Sequence, residues 1–222
     1  MDGILPAAGL ATRMRGLPKF LLPVNSEYET LIERQISKLR EINCGTIWIP
    51  TRPEFIILLE SILASQEQVI IFPLESKTMN ETVMKVLDVS GAEHFALAMP
   101  DTYFLSENPF KVLNSIPAIA EVGCWKIREK QRGKLGQVRV NQDNLILDIV
   151  DKDLNCEYEL AWGCLTFSRD LAKYVDVNDP HIGFALRNAI KSNDLKIQKI
   201  SGEYFDCGTA SEYIELLLAN TN

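Results

Sequence analysis

The sequence predicts an α/β protein built on a mixed, mostly parallel central sheet flanked by helices, with a small antiparallel subsheet in its second half. Two observations carry this. Through about residue 115, short apolar runs alternate with helix-period patterns, as β-α-β units require. Beyond it, β-rich segments follow one another around a polar turn, as antiparallel pairing requires. With 222 residues, 46% of them hydrophobic, the chain is expected to form one domain over 1–222, with a first part of about 1–115 and a second of about 116–222.

The elements follow in order. "GIL" is the first strand, and "LPAAGLATRMRGLPKFLLPV" (5–24) is an ordered loop, because Pro6, Gly9, Gly16, Pro18 and Pro23 interrupt any regular helix. "TLIERQISKLREINCG" is a helix. Thr30 and Glu33 stand at capping-box spacing, Leu31, Ile32, Ile36, Leu39 and Ile42 form its apolar face, and Gly45 is expected to close it. "TIWIP", "VIIFP" and "HFALAMPD" are strands, and "PEFIILLESILAS" and "NETVMKVLDVSG" are the helices between them. "AIAEVGCWKI", "GQVRVNQDNLILDIVD" and "YELAWGCLTFS" then read as mixed or antiparallel sheet with a turn at "NQD". Two helices end the pattern, near "IGFALRNAIKSN" and "TASEYIELLLAN". The second carries Thr209 and Glu212 at capping-box spacing and a docking face of Ile214, Leu216, Leu217 and Leu218.

Composition narrows the function classes. A net charge of −7 argues against nucleic acid or an anionic membrane as a surface-wide partner, but leaves room for a small anion in a local basic pocket. No apolar run reaches the ~18 residues of a membrane span, and "MDGILPAAG" places an acid where a secretory signal carries positive charge, so the expected location is cytoplasmic. The five cysteines are odd in number and scattered, with no C-x-x-C pair, and read as reduced core thiols.

In an open parallel sheet, ligands sit where loops leave the carboxyl ends of strands, and the 5–24 loop has that position. Neither G-x-x-x-x-G-K-[ST] nor G-x-G-x-x-G is present. Ala7, Ala8, Gly9 and Ala11 still leave backbone N–H groups open to a polyanion, and Arg13, Arg15 and Lys19 cluster beside them. On residue chemistry alone these cations are either a phosphate site or a solvated surface group.

The loop resembles the opening signature of the sugar-phosphate nucleotidyltransferases, the superfamily that includes glucose-1-phosphate thymidylyltransferase and related uridylyl- and cytidylyltransferases. Its usual form is A-A/G-G-x-G-T-R-[LM], a spacer, then P-K-x-[LM]-[LV]-P-[VI]. Here Ala11 replaces the second glycine and the spacer before Pro18 is longer. "MPDTYF", "KLGQVRVNQDNLILDIVDKD", "AWGCLTFS" and "FDCGTASEY" resemble four further family motifs, in the family's order. The resemblance implies a Rossmann-like nucleotidyltransferase fold whose first part binds nucleotide and whose second part binds the acceptor. It also implies a reaction joining a nucleoside triphosphate to a sugar 1-phosphate, with release of pyrophosphate.

The same resemblance implies residue roles. Ala8, Gly9 and Ala11 would hold the nucleotide, and Arg13 and Lys19 would carry the catalytic charge. Asp101 and Asp206 would ligate Mg²⁺, whose preference for hard oxygen ligands two carboxylates suit. Gly136, Asp151, Lys152 and Gly163 would bind the acceptor, with Trp162 standing where Asn or Ala is usual. The segment after the third strand departs from the family: in place of Gly-Thr-Ala or Gly-Leu-Ala-Gln it reads "ESKTMNETVM", where on residue chemistry Thr78, Asn80 and Glu81 offer hydrogen bonds to a base, or Asn80 caps the next helix. His94 and His181 match no catalytic constellation and read as structural or surface groups. Transfer to a phosphorylated alcohol, or ligand binding without turnover, stays open, as does homo-oligomerisation.

Overall fold

In the computed structural model, which describes residues 1–9 and 14–220, the opening run forms β1 (Asp2–Ile4), which pairs in parallel with a strand on either side. The chain continues through α1 (Leu31–Arg40), β2 (Ile47–Thr51), α2 (Ile56–Ile62), β3 (Val69–Pro73), α3 (Met79–Val89) and β4 (His94–Ala98). It then adds β5 (Thr102–Leu105), β6 (Ala120–Lys126), β7 (Gly136–Val140), β8 (Ile146–Asp151) and β9 (Leu160–Ser168). The last elements are α4 (Ile182–Ala189), β10 (Leu195–Lys199), β11 (Glu203–Asp206) and α5 (Ala210–Asn220).

The main sheet runs β10-β6-β9-β4-β1-β2-β3, with β7 and β8 hung from β9. It is parallel throughout except at β9, which lies antiparallel between β4 and β6, and at the β7–β8 hairpin. A separate antiparallel pair, β5 with β11, sits beside it. The mixed, mostly parallel sheet with a small antiparallel sheet is therefore the observed architecture.

Alternation along β4 divides the core. Phe95 and Leu97 join the cluster built by Val83, Val86 and Leu87 of α3 and Ile182 and Leu186 of α4, while Ala96 and Ala98 face the cluster of Ile32, Ile36 and Leu39 of α1 and Leu59 of α2. The helices thus cover both faces, which leaves the loops at the strand ends to form the site.

The capping box of α1 is present. Thr30 N donates to Glu33 Oε2 at 2.8 Å and Glu33 N to Thr30 Oγ1 at 3.4 Å. Thr30→Ala is expected to cost about 1 kcal/mol, read as a lower urea midpoint at unchanged slope. Gly45 does not end this helix. Glu41 is the C-cap and Asn43 takes the left-handed conformation (φ 56°), a state asparagine tolerates, so Gly45 already belongs to the entry into β2. The apolar residues of α5 are not one docking face either, since Leu216 is buried but Ile214 and Leu218 are 55% and 65% exposed.

All five cysteines are free and buried. Burial pushes the Cys44 thiol up to about 11 and those of Cys124, Cys164 and Cys207 higher still. Among the described residues no helix is long and apolar enough to cross a membrane.

Candidate functional site

The loop after β1 is held against β2 before it turns outward. Leu5 N donates to Trp48 O and Ala7 N to Pro50 O, both at 3.0 Å, while Thr51 Oγ1 donates to Ala7 O at 3.3 Å. Ala7 and Ala8 are buried by this, and Gly9 is exposed. Apart from Gly9 itself and its chain neighbours, no described residue comes within 4 Å of where a Cβ on Gly9 would stand, so packing within the described chain does not demand glycine there. Ala8 and Gly9 face a hollow of about 570 Å³ whose other walls include Arg52, Lys77, Thr78, Met79, Met99 and Asp101. Ala11 and Arg13 lie outside the described residues.

Lys19 opens a short 3-10 turn after Pro18, and its neighbour Phe20 is anchored edge-on against Phe55 at 5.9 Å. Its Nζ reaches Asp101 Oδ2 at 2.6 Å, with only 14% and 24% of the two side chains exposed. Asp101 sits in the turn from β4 to β5, where Thr102 Oγ1 donates to Met99 O at 2.9 Å. The β5–β11 pair brings in the second acid. Cys207 N donates to Asp101 O at 3.0 Å, and Asp206 stands opposite Thr102 in the register.

Asp101 and Asp206 line one further hollow, of about 190 Å³, together with Lys134, Gly136, Asp151, Lys152, Trp162, His181 and Tyr204. Burial, followed by the charges of Asp206 and Asp101, pushes the Tyr204 phenol well above its usual value and keeps it protonated. Asp101 also borders a third hollow, of about 90 Å³, with Gly9 and Lys19. It is the residue at which all three spaces meet. Among the described residues no three His, Cys, Asp or Glu side chains gather as a metal cluster. The two carboxylates on one hollow nevertheless fit Mg²⁺, which takes hard oxygen ligands and draws the rest from phosphate and water.

On the far wall, Gly136 pairs with Asp151 across the β7–β8 hairpin. A Cβ at position 136 would stand 2.2 Å from Trp162 Nε1, so only glycine lets the indole lie there. Lys152, with left-handed backbone (φ 50°), donates its N–H to Leu135 O and places Nζ 3.9 Å from Asp151 Oδ2. His181 Nε2 is 3.0 Å from the same oxygen. Burial alone would raise the Asp151 carboxyl, but the contact with His181 and the charges of His181 and Lys152 outweigh it and hold the group below its usual value.

Two expected site residues stand elsewhere. Gly163 does not line the hollow. A Cβ there would stand 2.4 Å from the Tyr204 ring and 2.9 Å from Trp125, so its bare Cα makes room for the aromatic packing beneath the site. Asn80 is fully buried and its Nδ2 donates to Asp176 O at 2.9 Å. It does not cap α3 either, because Thr78 takes that position and accepts from Glu81 N at 3.0 Å. Thr78 does line the larger hollow. Conversely, Arg52 and His181 are brought to the site without any local motif to announce them, while Lys77 and Lys134 stand inside "ESKTMNETVM" and "KLGQVRVNQDNLILDIVDKD" at positions to which no role is assigned from the sequence. His181 carries one readable signal, a position at the start of the "IGFALRNA" helix, where its Nδ1 accepts from Gly183 N at 3.2 Å.

A family model described as a MobA-like NTP transferase domain matches residues 3–125. Among solved structures, a protein assigned as a glucose-1-phosphate thymidylyltransferase from Bacillus anthracis, in complex with sucrose, is 19% identical, with a TM-score of 0.85 over 100% of this chain and 96% of that one. A UDP-glucose pyrophosphorylase complexed with UDP-glucose is 21% identical, with a TM-score of 0.78 over 99% and 98%. An apo UDP-glucose pyrophosphorylase is 20% identical, with a TM-score of 0.74 over 100% and 98%. These likenesses extend the fold over the whole chain. No curated protein sequence matches it.

Proposed function

The chain belongs to the MobA-like NTP transferase domain family, and from that premise we propose that it is an Mg²⁺-dependent nucleotidyltransferase that joins a nucleoside triphosphate to a sugar 1-phosphate. One observation carries the reading: Asp101 stands where the hollow under the first loop, the hollow beside Lys19 and the hollow bearing Asp206 and Lys152 meet. Two phosphate-bearing substrates placed on either side of it would bring their reacting groups together at one acid and one lysine.

In the reaction, an oxygen of the acceptor phosphate forms a bond to the α-phosphorus. The bond from that phosphorus to the bridging oxygen breaks, and its electron pair leaves with pyrophosphate. Lys19 and Arg13 would offset charge on the phosphates, and the N–H groups near Ala8, Gly9 and Ala11 would bind the nucleotide. Thr78, with Arg52 and Lys77, would border the nucleotide. Gly136, Asp151 and Lys152 would bind the acceptor. Asp101 and Asp206 would hold Mg²⁺, and the ion when bound supplies positive charge to the phosphate oxygens. We assign the nucleotide side to about 1–115 and the acceptor side to about 116–222, within one domain. The five buried free thiols support a reducing, cytoplasmic location.

The test is pyrophosphate release with Mg²⁺, using CTP, UTP, dTTP, ATP and GTP against a panel of sugar 1-phosphates and phosphorylated alcohols. Release with a sugar 1-phosphate, lost on EDTA addition, is the expected result. Release only with a phosphorylated alcohol would correct the acceptor, and nucleotide binding without any release would replace the reading with a non-catalytic one.

A further inference from the structure

Among the described residues, Asp151 is the carboxylate that lines the acceptor hollow away from Asp101 and Asp206, and His181 lines the same hollow. His181 Nδ1 accepts from Gly183 N at 3.2 Å, and Nε2, on the other side of the ring, is buried 3.0 Å from Asp151 Oδ2, within ion-pair distance but without the alignment of a hydrogen bond. The segment carrying His181 is tied to α3 at three points. Met79 N donates to Pro180 O at 3.0 Å, Thr78 Oγ1 to Val177 O at 2.6 Å and Asn80 Nδ2 to Asp176 O at 2.9 Å. The imidazole is therefore a fixed neighbour of Asp151 rather than a surface group.

Resting on the nucleotidyl-transfer reading, we propose that His181 is a positioning residue for the acceptor. It holds Asp151 so that the carboxylate accepts from a hydroxyl of a compact polyol monophosphate, and Trp162 limits the size of that acceptor. The charge pattern selects a hydroxyl over an ammonium group. Lys134 on the same wall is paired with Glu212 Oε1 at 3.3 Å and Asp101 and Asp206 are assigned to Mg²⁺, so the selection is local: Lys152 Nζ stands 3.9 Å and His181 Nε2 3.0 Å from Asp151 Oδ2, an ammonium placed on Asp151 would meet Lys152, and a hydroxyl would not. The size limit follows from packing. Trp162 is 9% exposed, lies on bare Gly136 and leans on His181 with ring centres 6.1 Å apart. The hollow it bounds, about 190 Å³, is smaller than the roughly 300–1,000 Å³ of sites for drug-sized ligands.

His181→Asn separates this role from capping, because asparagine is a good N-cap whose shorter side chain falls short of Asp151. Initial rates and calorimetric binding would be measured for wild type, His181→Asn and Trp162→Ala. The probes are glucose 1-phosphate, glycerol 3-phosphate, N-acetylglucosamine 1-phosphate, phosphocholine and phosphoethanolamine. Expected are a preference for the first two, an acceptor KM raised about tenfold or more in His181→Asn with a smaller change in kcat and a near-normal Tm, and a gain of the N-acetylated acceptor in Trp162→Ala. A preference for either amino-alcohol phosphate, or an unchanged acceptor KM in His181→Asn, overturns the proposal. If no pair turns over, the transfer reading fails. The binding arm then decides, with weakened binding of the polyol phosphates in His181→Asn upholding the proposal and absence of their binding in wild type overturning it.

Discussion

Turnover of the Lys19→Ala variant is expected to fall by about a hundredfold or more, the loss typical when a charged group aimed at the transition state is removed. Lys19 is set up for that task by its surroundings. Pro18 fixes the chain entering the turn, Phe20 is anchored against Phe55, and the Lys19 side chain is only 14% exposed with its Nζ 2.6 Å from Asp101 Oδ2. Asp101→Ala is expected to act as strongly, because the three hollows meet there. Lys19→Arg should rescue little, since a planar fork does not replace a compact point charge. The reading is pyrophosphate release under saturating substrates, alongside thermal melts to exclude unfolding. Near-normal turnover of both alanine variants would move the chemistry elsewhere.

The largest stability effect is expected from Arg169→Met. The Arg169 guanidinium donates to Leu87 O and Ser90 O at 2.6 Å and to Ala92 O at 2.7 and 3.1 Å, and lies over the Phe95 ring at 5.5 Å. One cation thus satisfies the carbonyls at the end of α3 and clamps that end to the chain leaving β9, a position the helix dipole also favours. Methionine keeps most of the packing and leaves the carbonyls without their donor. A loss of ~3 kcal/mol or more follows from the usual value of hydrogen bonds to charged groups, equivalent to about 6–12 °C in Tm for a chain of this size. Urea unfolding would measure it, and a change under 1 kcal/mol would count against the clamp.

What the sequence announces, it announces locally. Thr30 and Glu33 are three residues apart and report the start of α1 correctly, because a capping box is closed within one turn. The end of that helix comes before Gly45, because Asn43 adopts the left-handed state that the sequence pattern assigns to a glycine. The short "LKIQK" strand, β10, carries too few apolar residues to stand out, and it forms because β6 offers it a parallel edge. Asp101 and Asp206 are joined by the register of β5 and β11, 105 positions apart in the chain, which only the resemblance of their motifs anticipated. Nothing local links His181 to Asp151, or sets Gly163 against the Tyr204 ring. Those relations exist only once four separate segments have packed.

The burial of every cysteine gives the molecule an internal clock of its own opening. A thiolate is the reactive form, and Cys124 on β6 and Cys164 on β9 are held protonated and out of solvent as long as the sheet is intact. Their alkylation therefore waits on the structural fluctuation that exposes them. The rate of thiol labelling then follows the free energy of opening the sheet around β6 and β9, at native temperature and without denaturant.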